Sequence, residues 1–169
     1  MKKETNVRIT WSEAIEVALF KNEDFSLQEE TVVQQEGVVY IFVGKDENEK
    51  IGVDVGQTGR SLLKRVKEHI EEQDYLEGFP KEQKVFSGKI SSQIDVNNDL
   101  LKQTESIIIQ HLIQKSASDE FGVCNISQTK HYDEIFNIGH IENCFIPREL
   151  STFVDKYIPE EDDANKRKH

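Results

Sequence analysis

The sequence predicts an α/β fold: a small, mainly antiparallel, three-stranded sheet flanked by helices, with an N-terminal helical extension. Three observations carry this. Val38-Val-Tyr-Ile-Phe-Val43 is a β-branched and aromatic run bounded by Gly37 and Gly44. A second apolar run, Ile51–Val55, follows after a charged turn, so the pair reads as a hairpin. Apolar residues then recur at helical spacing over about Arg60–Gln73 and again over Asn98–Lys115. A chain of 169 residues suits one compact domain with an appendage rather than two full domains.

Each element has a local reason. Thr10-Trp-Ser-Glu13 fits a helix capping box, with Ala14, Ile15, Ala18 and Leu19 following at helical spacing. Ser26-Leu-Gln-Glu29 is a second such signal. Residues 1–36 are therefore expected to form two short helices. This segment holds four cations against eight anions, which favours a packing cap over a DNA-reading helix-turn-helix. Residues 37–128 form the main domain. After the hairpin, whose turn is Lys45–Lys50, Gln57–Gly59 reads as a turn into the first long helix. Gly78-Phe-Pro80 breaks the pattern, and Lys84–Ile90 is expected as the third strand. Asn98–Lys115 is expected as a strongly amphipathic helix and Val123–Ile126 as a short extended segment. Residues 129–158 form a C-terminal segment. Its docked helix starts near Pro147 and presents Leu150, Phe153, Val154 and Tyr157 as an apolar face. Residues 159–169 are a charged tail, expected to be disordered.

Composition narrows the function classes. No apolar run is long enough for a membrane span, and Met1–Thr10 is polar and charged, so a cytoplasmic protein without a signal peptide is expected. Cys124 and Cys144 do not form a close metal-type pair and read as free thiols of a reducing compartment. The formal charge of −11 counts against nucleic-acid binding and offers an acidic surface to a protein partner. Its distribution softens that objection. Between Gly56 and Ile70 there are four cations, Arg60, Lys64, Arg65 and Lys67, and one anion, Glu68.

Two helical wheels single out candidate site residues. On the first long helix, Leu62, Leu63, Val66 and Ile70 form an apolar stripe, and Arg65 and His69 lie one turn apart at its border. They can reach across a sheet surface, or Arg65 can simply lay its stem on the core. On the second, Glu105 points with Leu101, Ile108 and Leu112. A carboxylate on an apolar stripe needs a partner, either a metal ion or a cation such as Arg65. Asn125, among apolar neighbours in Gly-Val-Cys-Asn-Ile, is expected to face inward. Other signals are weaker. Gly52–Ser61 lacks the spacing of a phosphate loop. His111, His131 and His140 lack tight metal-ligand spacing, and Trp11 and the phenylalanines read as core.

Read in order, these blocks resemble the GIY-YIG nucleases over about half the chain. Val38-Val39-Tyr40 stands at the first motif and Asp54-Val55-Gly56 at the second. Gln57-Thr58-Gly59-Arg60-Ser61-Leu62-Leu63-Lys64-Arg65-Val66-Lys67-Glu68-His69 looks like the family's loop and arginine helix, and Glu105 and Asn125 occupy the remaining positions. Two departures stand out: Asp54 replaces the second tyrosine, and Val38 replaces the first glycine unless Gly37 takes that place. The resemblance implies an endonuclease that cuts DNA with one Mg²⁺ or Mn²⁺ held by Glu105. Arg65 would steady the phosphate. Tyr40 would act as base or orient the water, relaying a proton to His69, its acidity raised by a nearby metal or cation. Asn125 would fix the geometry, Asp54 would add a second carboxylate or mark a degenerate site, and Arg60, Lys64 and Lys67 would meet DNA. All six site residues are expected around one cleft on a sheet face. The alternative is a module that has lost catalysis and binds DNA or a protein partner.

Overall fold

The computed structural model describes residues 5–92, 95–115, 121–123 and 138–142. In chain order its elements are β1 (Thr5–Trp11), β2 (Ile15–Glu16), α1 (Ala18–Asn22), α2 (Leu27–Val33), β3 (Glu36–Lys45), β4 (Ile51–Ser61), α3 (Leu62–Glu72), β5 (Lys81–Ser92), α4 (Asn98–Lys115), β6 (Phe121–Val123) and β7 (Ile138–Glu142). The strands form one sheet in the order β6-β4-β3-β5-β1-β7, with β2 pairing β5 off this path. The β3–β4, β3–β5, β1–β5 and β2–β5 pairs are antiparallel; β4–β6 and β1–β7 are parallel.

The class is as expected, an α/β fold with a mainly antiparallel sheet flanked by helices, but the strand count is not. The three expected strands are β3, β4 and β5, adjacent to one another within a seven-stranded sheet. The N-terminal segment is also different from the expected helical pair. Thr10 and Trp11 end strand β1, which pairs Ile9 with Ile90 of β5. Val7 and Ile9 are buried while Arg8 and Thr10 are exposed, the period-two pattern of a half-buried strand. Ile15 lies in β2, and only Ala18–Asn22 is helical in that stretch. The second capping signal does start a helix. Ser26 accepts from the Glu29 amide, Glu29 accepts from the Ser26 amide, and α2 begins at Leu27.

The β3–β4 hairpin closes over Asp46, whose Oδ1 accepts the amides of Asn48 and Lys50 at 2.8 Å each. Strand β4 then runs on to Ser61, because Gln57 and Thr58 pair with Val39 and Val38; the expected turn at Gln57–Gly59 does not form. Alternation along these strands builds two cores. On one face Val39, Ile41, Val53 and Val55 meet Leu100, Leu101, Ile108, Ile109 and Leu112 of α4. On the other Val38, Tyr40 and Phe42 meet Phe20, Val33, Leu62 and Val66 from α1, α2 and α3. Helix α4 has the expected bounds but is buried beyond a single stripe, with Gln103, Thr104, Glu105 and Ser106 all enclosed. The expected C-terminal helix near residues 147–157 and the tail at 159–169 lie outside the described residues, as does most of the extended segment at 123–126; Val123 ends β6.

Candidate active site

The site grows from the middle of β3. Tyr40 points to the α3 face and is 2% exposed. Its partner across the hairpin is Gly56, and the ring fills the space that a side chain there would need. Ser61 caps α3 by accepting the Lys64 amide at 3.3 Å, so the helix begins directly after β4 and doubles back along the sheet. Leu62 and Val66 anchor it in the core. That anchorage brings the two border residues onto one atom. Arg65 Nε donates to the Tyr40 hydroxyl oxygen at 3.3 Å, and His69 Nε2 lies 2.8 Å from it. The His69 ring sits edge-on to Phe42 with centroids 5.5 Å apart, and near Tyr75.

Two further residues complete the cluster. At the end of α3 Gln73 takes the left-handed conformation (φ 52°), which turns the chain back. Asp74 Oδ1 thereby comes to 2.6 Å from His69 Nδ1. Glu68 gathers the arginines: Arg65 Nη1 donates to it at 3.0 Å and Arg60 Nη2 at 2.7 Å. Asp54 stands opposite Phe42 in the hairpin register, and its Oδ2 accepts the Leu76 amide at 3.4 Å.

Four of the six expected site residues, Tyr40, Asp54, Arg65 and His69, are thus on the α3 side. Glu105 is not carried there by its helix, because α4 packs on the opposite face. Among the described residues the outer edge of β4 is paired with β6 from Ile51 to Val53, and Gly59 packs against Asn98 at the start of α4. Glu105 is nevertheless electrostatically coupled to Asp54, Arg65 and Tyr40. Burial pushes its carboxyl up to about 7, the Asp54 charge adds to this, and Arg65 and Lys102 pull the other way. Asp54 is pushed up to about 6, chiefly by burial and also by Asp74, against the Leu76 hydrogen bond and the His69 charge. Asn125 lies outside the described residues.

Arg65 does act on Tyr40 in the expected direction, but burial outweighs it. Burial drives the phenol well above its ordinary range; Arg65 opposes this by charge and hydrogen bond, and Glu105 and Asp54 reinforce it. With Arg65 as the neighbouring cation, the hydroxyl therefore stays protonated. The ion pair between Glu105 and Arg65, open from the sequence, does not form, since Arg65 is engaged by Glu68 and Tyr40. Of the three expected DNA-facing cations, Arg60 is paired with Glu68 and Lys67 with Glu23, while Lys64 is exposed.

A divalent ion fits this donor set in one form. No group of three or more His, Cys, Asp or Glu side chains gathers among the described residues, so a closed, zinc-like cage has no ligands there. Glu105 is 6% exposed and has no hydrogen-bond or ion-pair partner among the described residues. A single buried carboxylate suits an ion such as Mg²⁺ or Mn²⁺ that keeps most of its waters. Sequence reasoning missed Asp74 and Glu68 and gave Gly56 no role. Glu68 had a visible signal, its spacing of three from Arg65. Asp74 had none, because only the turn at Gln73 brings it back. Scans against protein-family models, curated proteins and solved structures give no match to this chain.

Proposed function

We propose that this protein is a GIY-YIG-type endonuclease that hydrolyses phosphodiester bonds in DNA with one Mg²⁺ or Mn²⁺. The observation that supports this best is the convergence of Arg65 Nε and His69 Nε2 on the single hydroxyl of buried Tyr40. A neutral phenol cannot itself act as base, but it can pass a proton along. As water attacks phosphorus, it gives a proton to the Tyr40 oxygen while the phenol proton moves to His69 Nε2. The new P–O bond forms, the bond to the leaving strand breaks, and the departing oxygen takes a proton from solvent. Arg65, already aimed at the Tyr40 oxygen, meets the charge that develops on the phosphate. Glu105, whose carboxyl feels the charge of Asp54, would hold the ion, which would supply Lewis-acid stabilisation of that charge.

A supercoiled plasmid incubated with the protein should be nicked and linearised with Mg²⁺ or Mn²⁺ and left intact with a chelator. Intact plasmid under every metal condition, with folded protein that still shifts DNA, would instead select the binding-module reading. One observation favours the protein-partner form of that second reading, because it weakens DNA binding: Arg60, Arg65 and Lys67 are already neutralised within the protein.

The same pairs give a prediction for DNA affinity. Glu68→Gln releases Arg60 and Arg65 together. Binding should tighten several-fold, and the slope of log affinity against log salt should steepen by about one to two, as one or both arginines reach a phosphate. Fluorescence anisotropy across a salt series measures both. An unchanged slope would mean that neither arginine reaches the backbone.

A further inference from the structure

We propose that Asp74 is the positioning residue of this site: it fixes the tautomer of His69 so that Nε2, facing Tyr40, is the nitrogen left free to accept a proton. An ionised carboxylate only accepts hydrogen bonds. Asp74 Oδ1 lies 2.6 Å from His69 Nδ1, so that nitrogen must carry the hydrogen. Burial raises the Asp74 carboxyl, but the hydrogen bond and charge of His69, with help from Glu72, outweigh it and hold the group below its ordinary range.

The opposite end of the ring agrees. The Tyr40 oxygen already accepts from Arg65 Nε, a group that can only donate. Its single proton is therefore directed along the 2.8 Å contact to His69 Nε2. Every donor and acceptor is matched in one direction: Arg65 to Tyr40, Tyr40 to His69, His69 to Asp74. Reversing the imidazole tautomer would place two donors against each other at Nε2 and two acceptors at Nδ1. The surroundings leave little else to orient the ring. The His69 side chain is 12% exposed, and its faces and edges meet Tyr40, Phe42 and Tyr75. When the proton arrives, the same carboxylate stabilises the imidazolium that forms.

The consequence for cleavage rests on the nuclease reading, but the tautomer does not. Long-range ¹H–¹⁵N correlation NMR of the full chain, with His69→Gln to assign the ring, reports which nitrogen carries hydrogen. Wild type at about pH 8 should show protonated Nδ1 and unprotonated Nε2. Asp74→Ala, checked for folding by circular dichroism, should shift the ring toward the Nε2–H form. Its metal-dependent cleavage should fall roughly tenfold or more in kcat, with KM unchanged. A wild-type ring protonated at Nε2 overturns the proposal without need of any variant. So does an identical tautomer in wild type and Asp74→Ala. If the tautomer shifts as expected while neither protein cuts DNA, the positioning role stands and the nuclease reading fails alone.

Discussion

Replacing Glu105 with glutamine is expected to abolish metal-dependent cleavage while raising the melting temperature of the metal-free protein near pH 8. The two effects have one origin. Burial first, and then the Asp54 charge, push the Glu105 carboxyl from an ordinary 4.5 up to about 7. The folded state thus prefers the neutral acid. Its contribution to stability is fully present below the unfolded value and is lost as pH rises through the folded one. Asp54, pushed up to about 6, adds a loss of the same sign at lower pH. Wild type without metal should therefore lose stability between roughly pH 4 and 7, by on the order of 3 kcal/mol for Glu105. Glutamine keeps the shape and has no charge to bury, so the variant should melt higher near pH 8 and change less with pH. A divalent ion should stabilise wild type with the logarithm of its concentration above Kd and leave the variant unmoved. Losing the ion's charge stabilisation should cost cleavage at least roughly 10²-fold. Melts at two pH values with and without Mn²⁺, beside a plasmid assay, test all of this. Equal Mn²⁺ responses in the two proteins, with the variant melting lower, would show that Glu105 holds the fold together and not a metal.

Much of the frame was legible because local signals and tertiary pairing agree there. Glycine boundaries and apolar alternation mark β3 and β4, and the bounds of α4 follow from its periodicity. Where the reading failed, a long-range contact had overruled a local signal. Thr10-Trp-Ser-Glu13 imitates a capping box, yet Thr10 and Trp11 are paired with β5, and the alternation of Val7 and Ile9 is too short to outweigh it. Gln57–Gly59 has turn composition, yet Val38 and Val39 hold Gln57 and Thr58 in the ladder. The site divides in the same way. Helical spacing places Arg65 and His69 together, and the wheel marks Glu105 as a carboxylate among apolar neighbours. Periodicity within one helix carries no information on which sheet face that helix covers. It therefore could not separate α4 from α3. Nor could it show that burial would outweigh Arg65 in setting the acidity of Tyr40, since that depends on how completely the ring is enclosed.

Gly56→Ala should be the most damaging single-methyl change at the site, lowering stability and cleavage together. Gly56 faces Tyr40 across the hairpin, and a Cβ built there would lie 2.3 Å from the ring's Cζ and 2.4 Å from its hydroxyl oxygen. Carbon atoms pack at about 3.5–4.0 Å, so the ring would have to retreat by about 1 Å. A free tyrosine tip could swing aside at little cost. This one is 2% exposed, edge-on to Phe42 with centroids 5.5 Å apart, and tied at its hydroxyl to Arg65 and His69. Retreat therefore breaks the 2.8 Å contact to His69 or strains the hairpin. Overpacking of this kind costs about 1–3 kcal/mol, which for a chain of this size is a fall of roughly 4–10 °C in Tm. Cleavage should drop further than stability does, because the displaced hydroxyl is the group that carries the proton. Tyr40→Leu in the Gly56→Ala background removes the clash and should recover much of the melting temperature but none of the cleavage. That split is the informative result, since a purely structural clash would return both. A Gly56→Ala protein that melts within about a degree of wild type would show that the Tyr40 ring has room to move and is not held where the geometry places it.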